Sequence, residues 1–376
     1  MIITKLYVDN FRCLVNFEVS LTANQLWLGD NGSGKTSVLD VLSALRRVIA
    51  GDSVGDIFLA DDLTAWQSKS EQAFRVTSES TSDKYEYELV VEPDRTEERC
   101  HIRAERLTWN GQTFYHFDGQ EAHLFRINHP SGAVEEGTKF HADWSRSIIP
   151  TIAERNDNQP LVRFREQVAR WLIVQPIPTV MKPLAEKESR LLDRDAQNFA
   201  DWYRHLHQEM SDIGYKAREA LTEVLSGFQI LNLKEVGDAR RLVATFRAKG
   251  VNFDVPFGRL SDGQRQLIVL YVILNALRTN YSVLFIDEPD NFVSPREIQP
   301  WLRELRDTCT EGSNQGKKER SQAIVISHHP ETVNAMADGS ELWFHRPRGS
   351  HTQVKPYPVH KGLTAAETLA RGWDDE

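Results

Sequence analysis

The chain has 376 residues, enough for one large domain or two smaller ones, and its 40% hydrophobic and 26% charged content excludes a disordered or fibrous class. A formal net charge of -9 means that any nucleic-acid partner needs a local basic patch rather than the overall balance. The cysteines Cys13, Cys100 and Cys309 are scattered without metal-ligand spacing and suit free thiols in a reducing cytoplasm.

Residues 2–8 and 17–21 alternate as strands on either side of the polar-aromatic turn Asn10-Phe11-Arg12-Cys13, and the charges in the first run argue against a signal or transit peptide. Residues 24–28 read as a strand leading into Gly29-Asp30-Asn31-Gly32-Ser33-Gly34-Lys35-Thr36, a full match to G-x-x-x-x-G-K-S/T. Ser37 and the apolar-periodic residues after it open a helix that runs to about Ala50. Strand, glycine-rich turn and helix in that order make a phosphate-binding loop. The glycines let successive N–H groups curl around a β-phosphate, and the helix terminus adds partial positive charge. Lys35 reaches the β- and γ-phosphates, and Thr36 can ligate Mg²⁺.

Residues 52–70 read as loop. From 74 to about 126, short alternating runs broken at Glu92-Pro93-Asp94 and Asn110-Gly111 predict an antiparallel meander, and the polar stretch up to about 138 gives little. Residues 161–172 and 196–225 have helical periodicity on either side of the break Gln175-Pro176-Ile177-Pro178. They predict a helical lobe inserted into a nucleotide-binding core, with Trp202 and Tyr203 inside it and His205 and His207 in solvent. Sustained heptads are missing, which excludes a long coiled-coil arm. Strands return at 231–236 and 241–246. Residues 310–321 read as a flexible loop, and the tail beyond Arg346 as a short helix at 365–370 with an acidic terminus.

The second half carries further motifs. Ser261 and Gln264 stand in the capping-box relation at the head of an apolar helix, whose run at 267–277 falls well short of the roughly 20 residues that cross a bilayer. Val283-Leu284-Phe285-Ile286 reads as a buried parallel strand ending in Asp287-Glu288, where ligands bind in open α/β sheets. Asp287 is suited to hold Mg²⁺, directly or through water, and Glu288 to orient and deprotonate an attacking water. Ala323-Ile324-Val325-Ile326 likewise ends in Ser327-His328-His329. Neighbours on an extended backbone face opposite ways, and His328 is the one favoured to reach a γ-phosphate or its attacking water.

These elements in this order resemble the ATP-binding-cassette class of ATPases, in the soluble branch that holds the SMC, RecF-like and overcoming-lysogenization-defect proteins. The resemblance rests on the phosphate loop, the signature Leu260-Ser261-Asp262-Gly263-Gln264, the Asp287-Glu288 carboxylates and the switch histidine His328. Asn10-Phe11-Arg12 is similar to the branch's Asn-Phe-Arg turn, and Asp290-Asn291-Phe292-Val293-Ser294-Pro295 to its D-loop. It covers roughly residues 1–50 and 255–345.

The resemblance implies an α/β fold: an ABC-type P-loop ATPase core with an antiparallel β subdomain and an inserted helical lobe, divided as 1–145, 146–230, 231–346 and a tail at 347–376. It implies an Mg²⁺-dependent ATPase, with ATP held by Asn10, Arg12, Gly29, Asn31, Gly32, Ser33, Gly34, Lys35, Thr36 and Ser37. Ser261, Gly263 and Gln264 then close on the ATP of a second copy, so that two nucleotides are sandwiched in a head-to-tail pair. Thr36, Asp287 and Gln67, the last as a Q-loop residue, are the implied metal side chains. The middle lobe is too short for SMC arms and the tail too short for a Toprim nuclease domain.

The expected protein is therefore a standalone cytoplasmic ATPase without a membrane domain. It acts as a clamp or sensor for nucleic acid or a separate effector protein, in a setting such as phage defence or DNA repair. Arg103, Arg106, Arg163, Arg165, Arg170, Arg240 and Arg241 are the candidate nucleic-acid patch. The alternatives are the ATP-binding subunit of a transporter and a non-hydrolysing, ATP-bound scaffold. The Asn-Phe-Arg start and the large middle lobe oppose the first; Glu288 and His328 oppose the second.

Overall fold

Residues 1–93, 99–128, 131–310, 321–358 and 362–372 are described by a computed structural model. Strands β1 (Ile2–Asp9) and β2 (Phe17–Ser20) precede β3 (Asn24–Gly29) and helix α1 (Lys35–Ala50). The meander follows as β4 (Gln72–Glu79), β5 (Lys84–Pro93), β6 (Cys100–Trp109), β7 (Gln112–Phe117), β8 (Glu121–Ile127) and β9 (Val134–His141). With β1 and β2 these make one antiparallel sheet in the order β2-β1-β4-β5-β6-β7-β8-β9. Asn110 and Gly111 both have left-handed φ, +48° and +81°, which is what a two-residue hairpin between β6 and β7 needs. Strand β9 lies across the stretch that gave little in the sequence. Nearly all its side chains are exposed, so no face of it is buried and no alternation is imposed.

Next come α2 (Gln159–Ala169), β10 (Trp171–Val174), β11 (Leu184–Ala185), α3 (Phe199–Glu209) and α4 (Ser211–Val224). They are followed by β12 (Phe228–Val236), β13 (Ala239–Ala248) and β14 (Val251–Pro256). The helical expectation for 161–172 fails at its end: α2 stops at Ala169, and Trp171–Val174 is a fully buried strand. A short apolar run buried on both faces has no period that separates strand from helix, and here the β-branched Ile173 and Val174 and the break at Gln175-Pro176 mark the strand. Trp202 and Tyr203 are core residues, and Tyr203 stacks on the exposed His207.

The C-terminal part is α5 (Asp262–Thr279), β15 (Val283–Asp287), α6 (Pro295–Thr310), β16 (Gln322–Ile326), α7 (Pro330–Met336), β17 (Leu342–His345), β18 (Gln353–Pro356) and α8 (Ala365–Ala370). The loop expected at 310–321 lies, for 311–320, outside the described residues, as does the acidic terminus at 373–376.

The centre is a sheet in the order β10-β15-β16-β3-β17-β18, parallel except for β18. Alternate side chains of its strands enter two different cores. Leu26, Leu172, Leu284 and Val325 join the core that holds α3, α4 and α5, whereas Trp27, Ile173, Phe285 and Ile324 join the core under the antiparallel sheet and α1. Both faces are covered, which is why these strands read as continuous apolar runs. The parallel arrangement delivers the carboxyl ends of β10, β15, β16, β3 and β17 to one edge, where open α/β sheets bind their ligands.

Candidate functional site

Each of those five strand ends contributes a side chain or loop to one cleft of about 570 Å³. β3 supplies the phosphate loop, β15 supplies Asp287 and Glu288, β16 supplies His328, β10 supplies Gln175 and β17 supplies Arg346. Arg12, Cys13, Asn31, Gly32, Ser33, Gly34, Lys35, Thr36, Ser37, Trp66 and Ile326 complete the lining.

The phosphate loop needs its glycines for space as well as for backbone freedom. A Cβ on Gly29 would lie 2.1 Å from the carbonyl oxygen of Phe344, and one on Gly34 would lie 2.3 Å from Thr352 Oγ1; both residues have left-handed φ, +138° and +106°. Thr352 donates to the Ser33 carbonyl at 2.9 Å, so the segment after β17, read in the sequence as tail, buttresses the loop. Helix α1 starts at Lys35 with no side-chain cap and no acidic residue in its first turn, which leaves its N–H groups and partial positive charge for an anion. Lys35 is curled over the loop, its Nζ donating to the carbonyls of Gly29 and of Asp30 and to Ser33 Oγ. Burial lowers its pKa, against the attraction of Asp287, Asp30 and Glu288.

Opposite stand the carboxylates. Asp287 is buried, and burial followed by repulsion from Glu288 pushes its pKa up to about 6, with Arg194 and Lys35 pulling the other way. Glu288 has a left-handed φ of +48°, a conformation unusual for a non-glycine residue. It is held there by its N–H to the Ile326 carbonyl (2.8 Å) and by Asn291 Nδ2 donating to its Oε2 (2.6 Å). His328 lines the cleft with its pKa lowered, first by desolvation at the cleft wall and then by Lys35. Its neighbour His329 is occupied elsewhere: Nδ1 accepts from the Glu331 N–H at the start of α7. Below them Asp290 Oδ2 accepts from Ser327 Oγ (2.6 Å) and Thr332 Oγ1 (2.8 Å), tying the ends of β15 and β16 together.

Two of the expected site residues lie elsewhere. Asn10 is buried and spends its amide on the chain that follows the cleft wall, donating to the carbonyls of Lys69 and Glu71 (2.9 Å each) and accepting from the Thr64 N–H. Gln67 is not among the lining residues, and its Oε1 finds no hydrogen-bond partner among the described residues. The glutamine that does line the cleft is Gln175, at the end of β10. Its sequence signal, an apolar run ending in Gln-Pro, was hidden by the helical reading of Trp171 and Leu172.

Ser261, Gly263 and Gln264 do not line the cleft of their own chain. They form the capped start of α5: Ser261 Oγ accepts from Gln264 N (3.3 Å) and Gln264 Oε1 from Ser261 N (3.1 Å). Gly263 packs so closely on the Phe292 carbonyl that a Cβ would lie 2.7 Å from it, which joins this turn to the loop that leaves Glu288.

Two arginines complete the site, Arg12 of the Asn-Phe-Arg turn and Arg194, which the sequence reading did not single out. Arg12 donates from Nε to Asp62 Oδ1 (2.8 Å) and from Nη1 to Asp40 on α1. Asp40 also pairs with Arg194, whose Nη2 lies 3.9 Å from Asp287 Oδ2. No group of three or more His, Cys, Asp or Glu that could hold a metal occurs among the described residues. Thr36 with Asp287 fits Mg²⁺, which keeps waters and takes one or two protein groups together with phosphate oxygens. Of the seven arginines proposed as a nucleic-acid patch, four are engaged separately, Arg106 with Glu88, Arg163 with Asp83, Arg165 with backbone carbonyls and Arg240 with Glu235.

Among the described residues no helix is long and apolar enough to cross a membrane. A protein-family model, AAA domain, putative AbiEii toxin, Type IV TA system, matches residues 28–334. Among solved structures the chain is similar to an Smc head bound to the C-winged helix domain of ScpA, with a TM-score of 0.58 and 15% identity over 96% of this chain and 100% of that one. It is also similar to an Smc head domain with an extended coiled coil, bound to the C-terminal domain of ScpA derived from Pyrococcus furiosus, with a TM-score of 0.52 and 14% identity over 94% and 96% of the two chains. At such identities the likeness is one of fold. No curated protein matches the sequence.

Proposed function

Since the chain belongs to the AAA domain family described as putative AbiEii toxin, Type IV TA system, with the P-loop ATPase fold of Smc heads, we propose that it binds and hydrolyses ATP. The observation that carries this reading is the convergence of Lys35, Asp287, Glu288 and His328 on one cleft from three parallel strands. The phosphates lie on the loop N–H groups and the start of α1, with Lys35 released from the loop carbonyls to meet them. Thr36 and Asp287 would hold Mg²⁺, which would supply neutralisation of charge on the phosphate oxygens. Glu288 takes a proton from a water as that water's oxygen attacks the γ-phosphorus; the bond to the bridging oxygen breaks, and ADP leaves with phosphate. Asn291 fixes the carboxylate for that task. His328 orients the water or the γ-phosphate.

The turn at Ser261 differs from the start of α1 in being capped and in carrying Asp262, and it does not line the cleft of its own chain. A second copy, packed head to tail, brings it onto the γ-phosphate, so that ATP joins the pair and hydrolysis releases it. The pair works as an ATP-driven clamp or sensor, in phage defence or DNA repair. The separate pairing of Arg106, Arg163 and Arg240 favours a protein effector over nucleic acid as its partner, and the Smc heads of similar fold carry domains of ScpA. Phosphate release by wild type and Lys35→Ala tests the core of this reading. Wild type is expected to turn over and the variant to be silent; equal rates reject it.

A further inference from the structure

Of the large apolar side chains left exposed among the described residues, Trp66 alone lines the cleft. It is 53% exposed, in a protein whose other large aromatics are mostly buried. A tryptophan in water is a poor use of the largest apolar side chain, and one beside a phosphate loop has an aromatic ligand within reach.

Its surroundings fix it in place. The turn that carries it is closed by Gln67 N–H to the Thr64 carbonyl (3.0 Å), and Thr64 is buried with its N–H on Asn10 Oδ1. Past the turn, Asn10 Nδ2 holds the carbonyls of Lys69 and Glu71, and Lys69 pairs with Asp9 at 2.7 Å. On the other side stands Arg346, whose guanidinium carbon lies 5.9 Å from the Trp66 ring centroid. That guanidinium donates to the carbonyls of Ser350 (2.8 Å), Gly349 (3.0 Å) and Gly32 (3.3 Å), the last within the phosphate loop itself. One cation thus joins the indole to the loop that takes the phosphates, and both ends of the chain are committed to holding it.

We propose that Trp66, braced by Arg346, is the platform on which the base of the bound nucleotide stacks. The inference rests on the nucleotide reading above and adds the base-binding residues to it. An indole offers a π-face to any base, and a guanidinium held beside it adds a cation–π contribution, so the platform secures the nucleoside end without reading its edges. Asn10 is then a positioning residue at one remove: it holds the turn that carries the platform and does not touch the ligand.

Calorimetric titration of the full chain with ATP and with inorganic tripolyphosphate tests it, because the second ligand has the phosphates and no base. Trp66→Ala is expected to weaken ATP binding roughly five- to hundredfold and leave tripolyphosphate binding at the wild-type value. Trp66→Phe, which keeps a stacking ring in a folded site, is expected to recover most of the loss. ATP affinity unchanged in Trp66→Ala overturns the platform, and so does an equal loss of both ligands, since a base platform has no contact with a ligand that lacks a base. Failure of the nucleotide reading looks different: wild type then binds neither ligand, or binds both with no dependence on Lys35.

Discussion

The guanidinium of Arg194 spans two carboxylates, pairing with Asp40 on the phosphate-loop helix and lying, through Nη2, 3.9 Å from Asp287 Oδ2. Its backbone carbonyl accepts from the N–H of Gln175 at 2.7 Å. One residue of the segment between β11 and α3 therefore touches the helix, the metal-side carboxylate and the glutamine at the end of β10. Asp287 titrates near pH 6 because burial and Glu288 raise its pKa, while Arg194 and Lys35 oppose the rise.

A carboxyl so raised is protonated below about pH 6 and charged above it, and only the charged form attracts Mg²⁺. The acid limb of kcat/KM, which reports groups of the free enzyme, is expected near pH 6 in wild type. Removing a positive neighbour lets the carboxyl hold its proton more tightly, so Arg194→Ala is expected to move that limb to higher pH. A limb that stays in place, or moves to lower pH, shows that Arg194 does not act on Asp287.

Glu288→Gln keeps an oxygen to accept from Asn291 and so keeps the loop geometry, but it removes the base. Turnover is expected to fall by roughly 10²- to 10⁴-fold with ATP affinity preserved. If ATP joins two copies, the variant accumulates as a long-lived dimer. Light scattering at saturating ATP checks this, and a variant that stays monomeric rejects the head-to-tail pair.

Ser261 is exposed and outside its own cleft, so Ser261→Arg is expected to bind ATP normally and fail to hydrolyse it. Loss of the cap costs the helix only about 1 kcal/mol, and α5 is buried along most of its length, so the fold survives. Lys35→Ala has the complementary defect. Mixing the two inactive variants is expected to restore turnover, because a mixed pair holds one site with an intact loop and an intact signature. No recovery on mixing argues that the signature works within its own chain.

What the sequence disclosed follows from how local the chemistry is. The phosphate loop, the capping box at Ser261 and the strand ending in Asp287-Glu288 each declare themselves within a few residues, and the structure brings the first and last to one cleft. Arg194 and Trp66 declare nothing locally, and the local signal of Gln175, an apolar run ending in Gln-Pro, also fits the end of a helix. Gln175 matters because β10 pairs with β15, Arg194 because its segment folds back against α1, and Trp66 because Asn10 holds its turn at the cleft. An exposed tryptophan and a core tryptophan read alike until the fold is known. The same limit explains Asn10, whose motif pointed to the nucleotide but whose amide is consumed by the backbone of residues 64–71.

The antiparallel sheet carries a testable element of its own in Glu105, 1% exposed on β6. Its Oε1 accepts from Tyr87 OH and Ser147 Oγ, both at 2.7 Å, and its Oε2 from Tyr115 OH at 2.9 Å. Glu105→Ala strands three buried hydroxyls and is expected to cost about 3 kcal/mol, read as a lower denaturation midpoint. Glu105→Gln fills the same space and loses less. Burial raises the Glu105 pKa despite the three hydrogen bonds, so the folded state binds its proton more tightly than the unfolded chain does. The stability this supplies is present below the unfolded carboxyl pKa and is lost as pH rises through the folded value. A glutamine does not titrate. The stability of Glu105→Gln relative to wild type is therefore expected to improve as pH is raised, and denaturation series at several pH values that show the opposite trend would mean that the carboxylate is the form the pocket prefers.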